Sequence, residues 1–290
     1  MNRKPAVADG FYPSSPALLL KDIERSFSLG FGNPGKPEVG SGGAQSHRHV
    51  NRLAAIAPHA GYTYSGAVAS YTYGYAVSKM VPETVIVVGP NHTGYGSDVS
   101  VWPDGEWETP IGSLRVDSEA ASVILHDFEH FDPSSHELEH SIEVQLPFIR
   151  YVYGEEAAIV PVCVLDQSVE TMMRLGETLA RAAQVRERTL LVASSDFSHY
   201  VPERYAREVD LELLKQIEAM DELAVARKAD ELDSNACGLG PIIAVVSAAK
   251  RLGLTRARLL KYSTSAEATG DRESVVGYAS MVFEANGQEV

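Results

Sequence analysis

The sequence predicts an α/β protein, a single domain with a mostly parallel, mixed central sheet flanked by helices. Three observations predict it. Short runs rich in valine and isoleucine recur along the chain, and stretches of helical period alternate with them. No repeat and no strong linker divides the 290 residues. A continuous apolar run, as opposed to an alternating one, marks a strand covered on both faces.

Taken in order, residues 53–57, 84–88, 157–164 and 189–193 read as buried parallel strands. Residues 258–263 and 275–283 add an edge or antiparallel strands. Residues 168–183 carry Val169, Met172, Met173, Leu175 and Leu179 near a 3.6-residue period, with Ser168 placed to cap the helix. Residues 202–220 repeat the pattern through Tyr205, Val209, Leu213 and Ile217, with Pro202 acceptable near the start. Residues 241–252 are apolar almost all round, which marks a buried helix. Residues 30–51 break the rhythm. Gly40-Ser41-Gly42-Gly43 and His47-Arg48-His49 read as a flexible surface insertion, and the His-x-His tract as solvated.

Composition narrows the function classes. Hydrophobic residues make up 44% and charged ones 22%, ordinary values for a globular chain. A net charge of −14 argues against a nucleic-acid surface, which would be basic. No apolar run approaches the ~18 residues of a membrane span. The basic start Met1-Asn2-Arg3-Lys4 lacks the apolar core of a secretory signal, so the expected location is cytoplasmic. Of the two cysteines, Cys163 lies in an apolar run and reads as a small core residue. Cys237 sits in a polar turn before an apolar helix, whose terminal amides would favour its thiolate.

In open α/β sheets ligands gather at the carboxyl ends of the strands. Three such ends run into His59, His92 and the pair Asp196 and His199, and Cys237 opens a nearby helix. Imidazoles and a thiolate together suit a divalent or redox metal. His140 and Glu143, three apart, would share a helix face and form pocket wall or outer support, with metal ligation the lesser alternative and Pro147 near the start or a kink of that helix. Among the tyrosines, Tyr62 and Tyr64 suit a pocket, whereas Tyr71, Tyr73 and Tyr75 suit a helical core. His136, Glu137 and Glu139 fall in a charged stretch and read as solvated. There is no Gly-x-Ser-x-Gly elbow, and Ser194, Asp196 and His199 are too close in sequence for a serine-hydrolase triad.

Five segments carry a family resemblance: Gly10-Phe11-Tyr12-Pro13, the stretch from Ala57 to Gly66, Gly89-Pro90-Asn91-His92, the stretch from Glu139 to Pro147, and Ser194-Ser195-Asp196-Phe197-Ser198-His199. Together they resemble the MEMO family, named for the mediator of ErbB2-driven cell motility, over about residues 5 to 283. That family is similar in fold to the class III extradiol dioxygenases, which hold iron with two histidines and a carboxylate. The resemblance implies His59, His92 and Cys237 as metal ligands and His199 as an acid–base group. Asp196 would orient His199 or another ring nitrogen as an outer carboxylate. Asn91 and Tyr62 would support the pocket.

The cofactor implied is one iron or copper ion, with zinc as the alternative, and the chemistry implied is redox. A cysteine in place of the carboxylate argues against ring cleavage. The alternatives are a non-catalytic module binding a small molecule, peptide or phosphopeptide, and a zinc hydrolase. The resemblance further implies a link to radical-enzyme systems. No nucleic-acid or membrane partner is expected.

Overall fold

The computed structural model describes residues 1–32, 50–128 and 131–285; the insertion expected at 30–51 lies almost entirely outside them. In chain order the elements are β1 (Asn2–Arg3), α1 (Pro16–Leu29), β2 (Arg52–Ala57), α2 (Tyr62–Lys79), β3 (Thr84–Pro90) and β4 (Val99–Val101). Then come β5 (Glu106–Trp107), β6 (Leu114–Arg115), α3 (Ser118–Phe128), α4 (Leu146–Tyr153), β7 (Ala158–Val164), α5 (Val169–Ala182) and β8 (Thr189–Ser194). The chain finishes with β9 (His199–Val201), α6 (Glu203–Glu218), α7 (Glu222–Glu231), α8 (Leu239–Arg251), β10 (Arg256–Thr264), α9 (Ala266–Thr269) and β11 (Val275–Glu284).

The main sheet has the order β10-β11-β2-β8-β3-β7-β4, with β9 pairing onto β11. Strands β2, β8, β3 and β7 are parallel; β11 and β4 run against them, and β10, antiparallel to β11, runs in their direction. This is the mixed α/β sheet that the apolar runs predict. Every residue of β3, β7 and β8 is buried, as a strand covered on both faces requires. Helices α1, α2 and α4 pack together on one side, and α3, α5 and α8 form a second group. Cys163 is fully buried opposite Gly89, the core role expected of it.

Local chemistry explains the helix ends. The Ser168 side chain accepts from the Thr171 amide and caps α5 as anticipated. Pro147 falls in the first turn of α4, where its missing N–H costs nothing. Helix α8 is buried nearly all round. The strands shorter than four residues were not legible, because a period cannot be read from two or three positions. Helices α1, α3 and α7 were also not among the elements read.

A small sheet, β1-β5-β6, fixes the N-terminus, and through it one wall of the site. Arg3, 4% exposed, donates through Nε to the His136 carbonyl and through Nη2 to the Glu139 carbonyl, both at 2.8 Å. Its Nη1 pairs with the Glu143 carboxylate at 2.6 Å, and its guanidinium lies over Trp107. Glu143 also accepts from the Ala6 and Val7 amides and from the Tyr12 hydroxyl. The segment 136–143 and the N-terminal segment are therefore held by one buried ion pair. Breaking such a pair leaves an uncompensated buried charge, so Arg3→Met should lower stability by about 3–5 kcal/mol. Urea unfolding measures this directly; a loss under about 1 kcal/mol, the range of an exposed pair, contradicts the clamp.

Candidate metal centre

The carboxyl ends of β2, β3 and β8 lead into His59, Asn91-His92 and Ser195-Asp196, on one edge of the sheet. A cavity of about 600 Å³ opens there, with His59, His92, His140, Asp196 and His199 among its walls. One ring nitrogen from each of His59, His92 and His140 lies within 4.8 Å of the others, a group that could hold a metal ion. Two members are those expected. The third is His140, which the sequence placed in the pocket wall or outer support, with ligation as the lesser alternative.

The hydrogen bonds decide which ring nitrogens are free. Ser194 Oγ donates its one proton to the Ser141 carbonyl at 2.7 Å and accepts from Gln145 Nε2 at 2.8 Å. Gln145 is itself oriented, because the same Nε2 donates to the Pro58 carbonyl and its Oε1 accepts from the Tyr73 hydroxyl. Ser194 can therefore only accept at its third contact, 2.9 Å from His59 Nδ1. His59 carries its proton on Nδ1, and its Nε2 keeps a lone pair.

His92 reaches the same state by a different partner. Its Nδ1 lies 2.9 Å from Glu139 Oε1, and its amide donates to Oε2. A carboxylate only accepts, so Nδ1 is again the protonated nitrogen. His140 Nδ1 approaches the same Oε1 at 3.4 Å, and its ring stacks on Phe11 and on His92, with centroids 4.5 and 4.4 Å apart. Burial would push Glu139 up, but the His92 hydrogen bond and charge, the Ser141 amide and His140 outweigh it and bring its pKa down to about 2. Burial, with the neighbouring imidazoles, pushes His59 well below its ordinary value and His140 down to about 4. Neutral imidazole is the form that binds metal.

Cys237 Sγ lies 3.1 Å from His59 Nε2 and accepts from the Asp196 amide at 3.3 Å. An imidazole nitrogen and a thiolate on one metal stand roughly 3.1 Å apart at a right angle and roughly 3.6 Å apart at the tetrahedral angle. The same separation is that of a hydrogen bond, and Cys237 is not one of the group whose ligand atoms all lie within 4.8 Å of one another. The expected depression of its pKa by the helix is overturned, because burial and then the Asp196 charge push the thiol up. The α8 N-terminus is a lesser influence than the desolvation around the sulfur.

Other expected residues fall differently. Asp196 does not orient His199; its Oδ1 accepts the His59 amide at 2.8 Å. His199 is held by Asn235, whose Oδ1 accepts the His199 amide and whose carbonyl takes Nδ1–H at 3.2 Å. His140 and Glu143 do not share a helix face, since only the short 3-10 turn Glu143–Gln145 forms there. Glu143 is spent on Arg3 and the N-terminal amides. Tyr62 packs in the core against Tyr12 and Phe148, with its hydroxyl on the Val144 carbonyl, while Tyr64 lines the cavity. Asn91 caps its own loop through the Thr93 and Gly94 amides. His136 and Glu139, expected in solvent, are 0% and 1% exposed. The spacing of Glu139 one residue before His140 and its place in the family segment were the only signals that could have found it.

Fold and site together define an α/β protein with a histidine cluster at the carboxyl edge of its sheet. The family described as Memo-like protein matches residues 3–282. A MEMO1 family protein of Methanopyrus kandleri is 41% identical over 286 residues, 98% of this chain and 99% of its own length. One of Methanothermobacter thermautotrophicus is 42% identical over 284 residues, 97% of this chain and all of its own. The chain belongs to the Memo-like family. Among solved structures, the uncharacterized protein JW3007 from Escherichia coli K12 shares the fold, with a TM-score of 0.53 at 16% identity, covering 79% of this chain and 98% of its own.

Asp196 gives a pH signature. Burial raises its pKa to about 7, against the opposing pull of the His59 amide. A carboxyl raised in the folded state contributes stability in full below its unfolded value near 4, and loses it as pH rises to about 7. In chelator-treated protein, wild type should therefore lose stability relative to Asp196→Asn between pH 5 and pH 7, by at most about 1.4 kcal/mol per pH unit. Urea midpoints of both proteins across that range test it; a difference that stays flat shows Asp196 to be ionised throughout.

Proposed function

We propose that this chain is a metal-dependent redox protein whose cavity holds one iron or copper ion on His59, His92 and His140, with Cys237 as a further ligand. The observation that carries the reading is the convergence of three imidazoles within 4.8 Å, two of them fixed with Nδ1 protonated by Ser194 and Glu139. A soft thiolate beside imidazoles favours iron or copper over magnesium or calcium. The metal, when bound, supplies Lewis acidity and one-electron chemistry to a small molecule in the cavity.

The chain's own residues would supply the rest. His199, with Nδ1–H on the Asn235 carbonyl, turns Nε2 outward as a proton acceptor. Asp196, with a pKa near 7, gives or takes a proton at the cavity wall close to neutral pH. Asp196 is buried and His199 half-buried, which lowers the dielectric around any transfer. A phosphopeptide-binding role has less support, because no Lys or Arg is among the described residues lining the cavity.

Protein purified without oxygen should carry about one iron or copper per chain. His59→Ala, His92→Ala and His140→Ala should each abolish it, and Cys237→Ser should weaken binding by about tenfold or more. Elemental analysis with a metal titration measures all four. Full zinc occupancy without iron or copper moves the assignment to a hydrolase, and failure to bind any of the three metals leaves only a binding module.

A further inference from the structure

Strand β11 runs antiparallel beside β2, and its first residues extend past the carboxyl end of that strand. Its antiparallel register with β2 pairs Met281 with Ile56 and Phe283 with Ala54, and continuing it places Tyr278 level with His59. Val276 and Tyr278 lie two apart, so they share a sheet face, and both line the cavity. Gly277 between them exchanges backbone hydrogen bonds with Phe197 and Ser198, which fixes this part of the strand to the His199 loop.

Tyr278 is only 1% exposed, yet its hydroxyl has no hydrogen-bond partner among the described residues. A buried tyrosine hydroxyl normally finds one, because burial without a partner forfeits its hydration. Tyr73 and Tyr62, also buried, donate to Gln145 Oε1 and to the Val144 carbonyl, whereas the Tyr153 hydroxyl is unpartnered too but lies away from the cavity lining. Tyr278 differs in facing a cavity of about 600 Å³. Burial, with Asp196 close by, pushes its pKa upward, so the group is a proton donor at any ordinary pH. The cavity around it adds the rings of Phe11, Tyr64 and Tyr200 and carries no Lys or Arg among the described residues.

We infer that Tyr278 is the ligand anchor of this cavity, donating its hydroxyl proton to a carbonyl or hydroxyl oxygen of a compact, uncharged, ring-containing molecule. The aromatic walls favour a flat ring, and the lack of Arg and Lys disfavours phosphorylated ligands. The inference rests on the proposed reading only in taking the cavity as the ligand site, and it does not depend on which metal is bound.

The test uses purified protein whose metal content is measured in the same sample, with benzamide as an uncharged carbonyl probe and phenyl phosphate as its anionic counterpart. Calorimetry or ligand-observed NMR should find that benzamide binds wild type, that Tyr278→Phe binds it about tenfold more weakly, and that phenyl phosphate binds wild type at least tenfold more weakly than benzamide. Removing a hydroxyl with no internal partner should also leave the urea midpoint unchanged or higher. Equal benzamide affinity in the two proteins, no benzamide binding to wild type, tighter phenyl phosphate binding, or a lowered midpoint in Tyr278→Phe each overturns the inference. Tyr278-dependent binding in protein that takes up no metal would overturn the metal reading and leave the anchor standing.

Discussion

The Glu139 carboxylate, 1% exposed, is the constraint on which the site depends, because its oxygens tie together the groups that must converge. Oε1 receives His92 Nδ1 and the Ser141 amide, Oε2 receives the His92 amide, and His140 Nδ1 stands nearby. An ionised carboxylate in that position is costly unless each lone pair is used. Using them orients two imidazoles and fixes the proton of one. Arg3 then holds the carbonyl of the same residue, so the N-terminal strand and the metal face are one mechanical unit. Phe11 extends that unit by stacking on His140.

His59 is oriented by neutral groups instead, through Ser194, Gln145, Pro58 and Tyr73. The two histidines thus reach the same protonation state by independent routes. A charged partner fixes His92, while the chain of neutral donors holds His59 by geometry. His59 also touches Cys237, whose thiol is kept protonated by its buried surroundings unless a cation offsets them.

The layered fold was legible because parallel strands buried on both faces leave continuous apolar runs, and every such run became a strand. His59, His92 and His199 were legible because each follows a strand at its carboxyl end. The third histidine was not, because His140 reaches the cavity from the irregular segment between α3 and α4, and no periodicity predicts where such a residue points. Glu139 was misread for a related reason. A charged residue in a charged stretch reads as solvated, and only tertiary contacts to Arg3 and two histidines bury it. Glu143 misled in the opposite sense, since three-residue spacing implies a shared face only if a helix forms. Asn235 and Tyr278 carry no sequence signal beyond their type.

The most direct test of the metal centre is anomalous diffraction from crystals of the metal-loaded protein, collected at the absorption edge of the metal found by analysis. The account predicts a single strong peak within about 2.0–2.3 Å of the ring nitrogens of His59, His92 and His140 that do not face Ser194 or Glu139. A peak elsewhere, or one bonded to the Nδ1 atoms of His59 or His92, would contradict it.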